Sequence, residues 1–389
     1  MKIGLEPVVG TEEEAARVDA ILRRDLDLSG QFKLVDPASP PTTAVDDLDA
    51  PLSDDVWKPG ATEAVVRVSA SASDGGNMDV VAIVFLADDR ERPAFERRFS
   101  APLSDFRLTT HRLSDKLIGA LTGYDGPFVS RLVFVRTVGG TRRVYAIDPD
   151  GHHLEAISPK NHLAVSPTIG PEDEIYWAGS VDRGAYRVYR ASSPAPLTIT
   201  PPGSVYGLTF SWDRSRAAVS IAVGETVTLF VGDAALTDLK PASKLPMALH
   251  PAFSDAGQLA YAGSKKDRQR VYVDGKAVSV AGRVAAAPDF CRHPDGTRLV
   301  YTTGADDRSE IVVADARGRE PTTVMAGRGA SRYPACSPDG RLVAFFSTRK
   351  GGQGPGLYVM RIDGRRVRKI ADVTGDSLRW ARLRPPLPL

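Results

Sequence analysis

The run Cys336-Ser337-Pro338-Asp339-Gly340-Arg341-Leu342-Val343-Ala344-Phe345 decides how the chain is read. Pro fixes φ at the start of a turn, Asp bonds back to nearby amides, and Gly takes the positive φ that reverses the chain. The apolar run after it reads as a buried strand. The same unit returns as Arg292-His293-Pro294-Asp295-Gly296 before Leu299-Val300-Tyr301, and as Phe253-Ser254-Asp255-Ala256-Gly257 before Leu259-Ala260-Tyr261. A degenerate copy, Phe210-Ser211-Trp212-Asp213, precedes Ala217-Ala218-Val219. The turn glycines lie 39 and 44 residues apart, and Phe210 to Phe253 spans 43.

Four short strands in a repeat of about 40 to 45 residues is the blade period of a β-propeller. Second strands are expected at 132–136, 174–178, 217–222, 258–262, 298–302 and 342–347, which makes six blades. The first lacks a strand before it, and Leu378-Arg379-Trp380-Ala381-Arg382-Leu383 is left over at the end. Letting the last strand complete the first blade closes the ring and removes an exposed edge.

Upstream the pattern differs. Lys2 to Val9 reads as a strand, Thr11 and Glu14 form a capping box, and Val18, Ile21, Leu22 and Leu26 share a helical face ending near Gly30. A strand at 32–35, a polar loop at 37–59 and two strands at 64–70 and 78–86 follow, the pair joined by Ser73-Asp74-Gly75-Gly76-Asn77. A third strand is expected at 94–100. A second helix over 104–121 stacks Leu113, Leu117 and Leu121 and stops at Gly123. The expected architecture is therefore a mixed fold: an α/β domain over 1–125, with two helices on a small mixed sheet, then a six-bladed β-propeller over 126–389 closed by the C-terminal strand.

The chain carries 50 basic and 48 acidic residues, unevenly divided. The first 125 residues hold 14 basic against 23 acidic, leaving 36 against 25 for the rest. The arginines of the basic part are scattered among turns rather than grouped with aromatics, so no nucleic-acid surface is expected. No apolar run reaches the length of a membrane span, so no membrane insertion is expected. Met1 to Gly10 reads as a strand instead of a leader. Cys291 and Cys336 sit on apolar strands, where two buried free thiols are the default; a disulfide requires an oxidising compartment and suitable geometry.

No G-x-S-x-G, H-E-x-x-H, Walker loop or C-x-x-C is present, and neither catalytic residues nor a cofactor are expected. His152-His153 follow a turn, and Glu172-Asp173-Glu174 reads as solvated loop charge. Propeller function concentrates where loops from every blade converge on the channel mouth. The segments leading into the inner strands supply His162, Leu163, Ser204, Tyr206, Gly207, Met247, Leu249, His250, Ala285, Ala287, Ser331, Arg332 and Tyr333, with Arg379 on the last strand. Their mixture of small, apolar, Tyr, His and Arg side chains suits protein docking better than a sugar or phosphate.

One stretch points to a family. His111-Arg112-Leu113-Ser114-Asp115, then Leu121-Thr122-Gly123, then Gly126, Phe128 and Arg131 resemble the H-x-x-S-D helix of TolB proteins, which ends in L-T-G and runs through G-x-F-x-x-R into the first blade. Gln31-Phe32-Lys33-Leu34-Val35-Asp36 and the S-P-D-G turns agree. The resemblance implies a monomeric periplasmic component of the Tol-Pal envelope system, its leader removed. It implies docking of the lipoprotein Pal across the propeller mouth, with Ser204 to Gly207 and Met247 to His250 among the Pal-facing positions. It also implies binding of TolA through the N-terminal segment, and a structural role for His111. The competing class is a propeller enzyme such as a metal-dependent polysaccharide lyase, which would need His162, His250 and His293 to converge on one metal.

Overall fold

A computed structural model describes residues 1–38, 48–73, 75–265, 268–327, 329–349 and 353–382. Asp74 of the hairpin turn, residues 39–47 of the polar loop and Leu383 lie outside them. The chain divides into two compact units, Met1–Val129 and Ser130–Leu389.

In the first unit β1 (Lys2–Leu5), β2 (Lys33–Val35), β3 (Ala64–Ala72), β4 (Asn77–Leu86) and β5 (Phe95–Pro102) form one sheet in the order β2-β1-β3-β4-β5. Pairs with β1 are parallel and the others antiparallel, so the sheet is mixed. Helix α1 (Glu12–Leu28) starts at Thr11, whose Oγ donates to Glu14 Oε2 at 2.8 Å and accepts from the Glu14 amide at 3.5 Å. The Thr11 side chain thus caps the Glu14 amide as the sequence implied, while the Glu14 carboxylate returns to the Thr11 hydroxyl rather than to its backbone N–H. Helix α2 (Phe106–Thr122) ends on Gly123 at φ 83°, the left-handed closure that glycine takes without penalty.

Two polar knots hold this unit. Glu6, buried, accepts from Trp57 Nε1 at 2.7 Å and from Arg67 Nε at 2.8 Å, which offsets the cost of burying its charge. On α2, His111 and Asp115 lie one turn apart on a buried face. His111 Nδ1 meets Asp25 Oδ2 of α1 at 2.7 Å, and the two Asp115 oxygens accept the amides of Phe128 and Val129 at 2.7 and 2.8 Å. Those bonds tie Phe128 and Val129 to α2. Gly126 passes so close that a Cβ there would meet Asp115 Oδ1 at 2.6 Å, which explains G-x-F after the helix.

The second unit is all β. Its described residues form one three-stranded, one eight-stranded and three four-stranded sheets. Second strands run at Ser130–Val138, Ile175–Val181, Arg216–Val223, Leu259–Ser264, Arg298–Thr303 and Leu342–Ser347, close to the expected positions. Asp376–Arg382 pairs antiparallel with Ser130–Val138, with Trp380 opposite Leu132. Between sheets the core is apolar, as in the cluster of Leu208, Val219 and Ile221 with Tyr176 and Phe210.

The turns behave as their chemistry requires. Ser337 Oγ accepts from the Leu342 amide at 2.9 Å and Gly340 adopts φ 72°. In the degenerate copy Ser211 Oγ accepts from the Arg216 amide at 3.0 Å, and Arg214 takes φ 61° where the other copies have Gly. The turn survives without its glycine, at the strain cost of a left-handed non-glycine residue.

Candidate functional site

The inner strands are His162–Ile169, Ser204–Phe210, Met247–Phe253, Ala285–Cys291, Ser331–Cys336 and Asp376–Arg382. The segments read from the sequence as loops are the first residues of these strands. Each strand slips register against its neighbour by a bulge at mid-length. At five of the bulges a residue has positive φ: Ser166, His250, Ala287, Tyr333 and Ser377, between 48° and 55°. Four of these precede proline: Pro167, Pro251, Pro288 and Pro334. A bulge leaves one residue outside the ladder, so a proline without an N–H fits there and the chain bends to re-aim a side chain.

This backbone device sorts the expected docking residues. Tyr206 and Met247 are each 40% exposed, and Tyr206 lies 5.5 Å from the Tyr186 ring. Leu249 is partly buried opposite Ala262, and Leu163 likewise opposite Ser180. Ser204 Oγ accepts from the Tyr186 amide at 3.0 Å. A Cβ on Gly207 would meet Ser220 Oγ at 2.6 Å, so that position is glycine for packing. Arg332 Nε donates to Ser309 Oγ at 3.0 Å.

Others are interior. Ala285 and Ala287 are buried, and Ser331 shares a 3.1 Å hydrogen bond with Ser347. His162 is a core histidine: its Nδ1 accepts from Trp177 Nε1 at 3.4 Å and its ring lies 4.4 Å from Tyr189. Burial lowers its pKa, which keeps it neutral.

Bulge geometry gathers a second set. The His250 ring stands edge-on to Tyr333 at 6.4 Å, and Arg379 donates to the Pro251 carbonyl at 3.1 Å. His250 Nδ1 is buried with no hydrogen-bond partner, and desolvation, aided by the Arg379 charge, pushes the imidazole down to about 4. Asp289, unnoticed in the sequence, joins them. Burial raises its pKa against the pull of Arg379, and its Oδ2 accepts the Cys336 amide at 2.9 Å. The recurrent x-Pro at 166–167, 250–251, 287–288 and 333–334 is the signal that could have located this belt.

Cys291 and Cys336 are joined in a disulfide with Cα atoms 5.1 Å apart, so the default of two free thiols is overturned. Both sulfurs stand at the ends of adjacent inner strands, a proximity that strand assignment alone could not supply. His162, His250 and His293 share no metal-ligand cluster among the described residues. His293 Nδ1 instead accepts the Asp295 amide at 3.1 Å, filling the turn position that serine takes in other copies.

Comparison with known proteins places these features. The TolB amino-terminal domain profile matches residues 1–86, and the TolB beta propeller domain profile matches residues 241–382. The chain belongs to the TolB family. The crystal structure of TolB from Acinetobacter baumannii has the same fold, with a TM-score of 0.79 at 18% identity over 98% of this chain and 96% of that one. A Tol-Pal system protein TolB from Geobacter sulfurreducens is 26% identical over 160 residues, which is 40% of this chain and 36% of that protein. Another from Cereibacter sphaeroides is 27% identical over 187 residues, or 46% and 41%. The matched stretch thus spans about two fifths of the length of these curated relatives. The architecture is that of TolB: an N-terminal helix-and-sheet domain followed by a β-propeller. No helix among the described residues is long and apolar enough to cross a membrane.

Proposed function

We propose that this TolB-family chain is a periplasmic, non-enzymatic docking component of the Tol-Pal system that binds the lipoprotein Pal at the N-terminal ends of its inner strands. The observation that carries the reading is the pair of exposed apolar side chains, Tyr206 and Met247, raised beside the bulge belt of His250 and Tyr333. Aromatic and methionine anchors with few charges are the composition of a docking hot spot. The disulfide suits an oxidising compartment, which supports the periplasm.

The same proposal counts six blades. The eight-stranded sheet is two blades bridged by one parallel pair, Val227 with Met247, and the strand Asp376–Arg382 closes the ring on the first. TolA binding is assigned to the N-terminal segment, and the protein acts as a monomer. The test is a pull-down from envelope extract with the unmodified chain and with Tyr206→Glu and Leu249→Glu. Pal is expected with the first and to be lost with the others. If no lipoprotein co-purifies with the unmodified chain, the assignment fails.

A further inference from the structure

We infer that the cavity at the C-terminal ends of the inner strands binds a small organic carboxylate with an aromatic body, at a place that includes neither Tyr206 nor Met247 and shares only Arg379 with the expected docking residues. The cavity holds about 410 Å³, and all six inner strands contribute to its wall. That is the volume of a small-ligand pocket, and its wall is divided about evenly between polar or charged residues and apolar ones, with Phe210, Trp212, Phe253 and Trp380 among the latter.

Its charge selects the ligand. Arg379 lies on the wall; its two terminal nitrogens donate to the backbone carbonyls of Leu378 and Pro251, at 3.4 and 3.1 Å. Asp289 is the carboxylate whose charge acts on its guanidinium. Arg379 is enclosed by protein, yet keeps accessible surface. Asp289, the one carboxylate of the lining, is already engaged by the Cys336 amide and is biased toward its neutral form by burial. At the rim, Arg292 rides over the half-exposed Trp212 ring at 5.6 Å and reaches Asp255 only at 3.7 Å. Arg214 is spent on Asp173. Arg379, whose hydrogen bonds go to backbone carbonyls, and Arg292, loosely paired with Asp255, therefore face a cavity whose other walls include Phe210, Phe253 and Trp380. A planar guanidinium fork matches a planar carboxylate, and the rings accept the apolar body that carries it.

The test is a titration of the full chain with 3-phenylpropanoate, read by calorimetry and by tryptophan fluorescence, since Trp212 and Trp380 both line the cavity. The neutral amide and phenyl phosphate serve as comparison ligands. Saturable one-site binding is expected in the millimolar range typical of a ligand of about eleven heavy atoms, with the amide about tenfold weaker or worse. Arg292→Gln and Trp212→Ala, both at the exposed rim, are expected to weaken the acid about fivefold while the melting temperature holds. Arg379→Gln is expected to abolish binding; should it fail to fold, the two rim variants decide. Equal binding of acid and amide, absence of saturation, or unchanged affinity in both rim variants overturns the inference. Tighter binding of phenyl phosphate overturns the carboxylate assignment. None of these measurements touches Tyr206 or Met247, so the lipoprotein reading stands or falls separately.

Discussion

The polar residues that tie α2 to its surroundings are buried, those that ring the inner strands keep some accessible surface, and the two sets differ in what they hold. Asp115 has both carboxylate oxygens on backbone amides, and His111 is locked to Asp25. His250 has an orphan ring nitrogen, and Arg379 holds only backbone carbonyls. Polar groups buried with their partners build architecture, because their removal strands other buried groups. Polar groups buried without them carry a standing cost that a ligand or partner would offset. The H-x-x-S-D motif on α2 is of the first kind, and the bulge belt is of the second.

Substitutions can break this contrast, and the largest effect expected is at the disulfide. Replacing Cys291 and Cys336 by serine opens a closure of 45 residues, which loop entropy values at about 4 kcal/mol. Chemical denaturation with and without reductant checks it. Next comes Asp115→Ala, which leaves two buried amides without acceptors and is expected to cost about 3 kcal/mol of stability in the same assay. Burial pushes the Asp115 carboxyl up to about 8 against those two amides. Asp115→Asn, which keeps one acceptor, should therefore cost less than the alanine variant.

His250 gives a signed pH effect. Its folded pKa of about 4 lies below the unfolded value near 6.5, so the unfolded chain takes up the proton first as pH falls. Stability from this group is fully present above pH 6.5, declines between about 6.5 and 4 by up to about 3 kcal/mol, and changes no further below that. His250→Gln is expected to remove this part of the slope, as urea midpoints at successive pH values would show. A slope unchanged in the variant would mean the ring is solvated. Smallest of all, Tyr206→Glu and Met247→Glu are expected to alter stability by no more than about 0.5 kcal/mol, since both side chains face outward.

Much of the fold was legible because its signals are local. Turn residues fix their own φ, so Ser337 to Gly340 announces a reversal wherever it lies, and Thr11 with Glu14 announces a helix. Strands 298–303 and 342–347 followed from those turns. The site was less legible. The bulges at His250 and Tyr333 arise from counting residues across two strands, which no single segment records, so the strand starts read as loops. His162 looked like a channel residue until Trp177 and Tyr189 closed over it. The disulfide and the cavity depend on which strand ends meet in space, and neither spacing nor residue type supplies that.

The most direct measurement is the affinity of purified Pal for three matched chains, the unmodified one, Tyr206→Glu and Asp115→Asn, at a temperature where all are folded. The expected result is that Tyr206→Glu melts like the unmodified chain but loses Pal, whereas Asp115→Asn melts earlier and binds Pal unchanged. Retained binding in Tyr206→Glu, or lost binding in folded Asp115→Asn, would contradict the division of labour between the two regions.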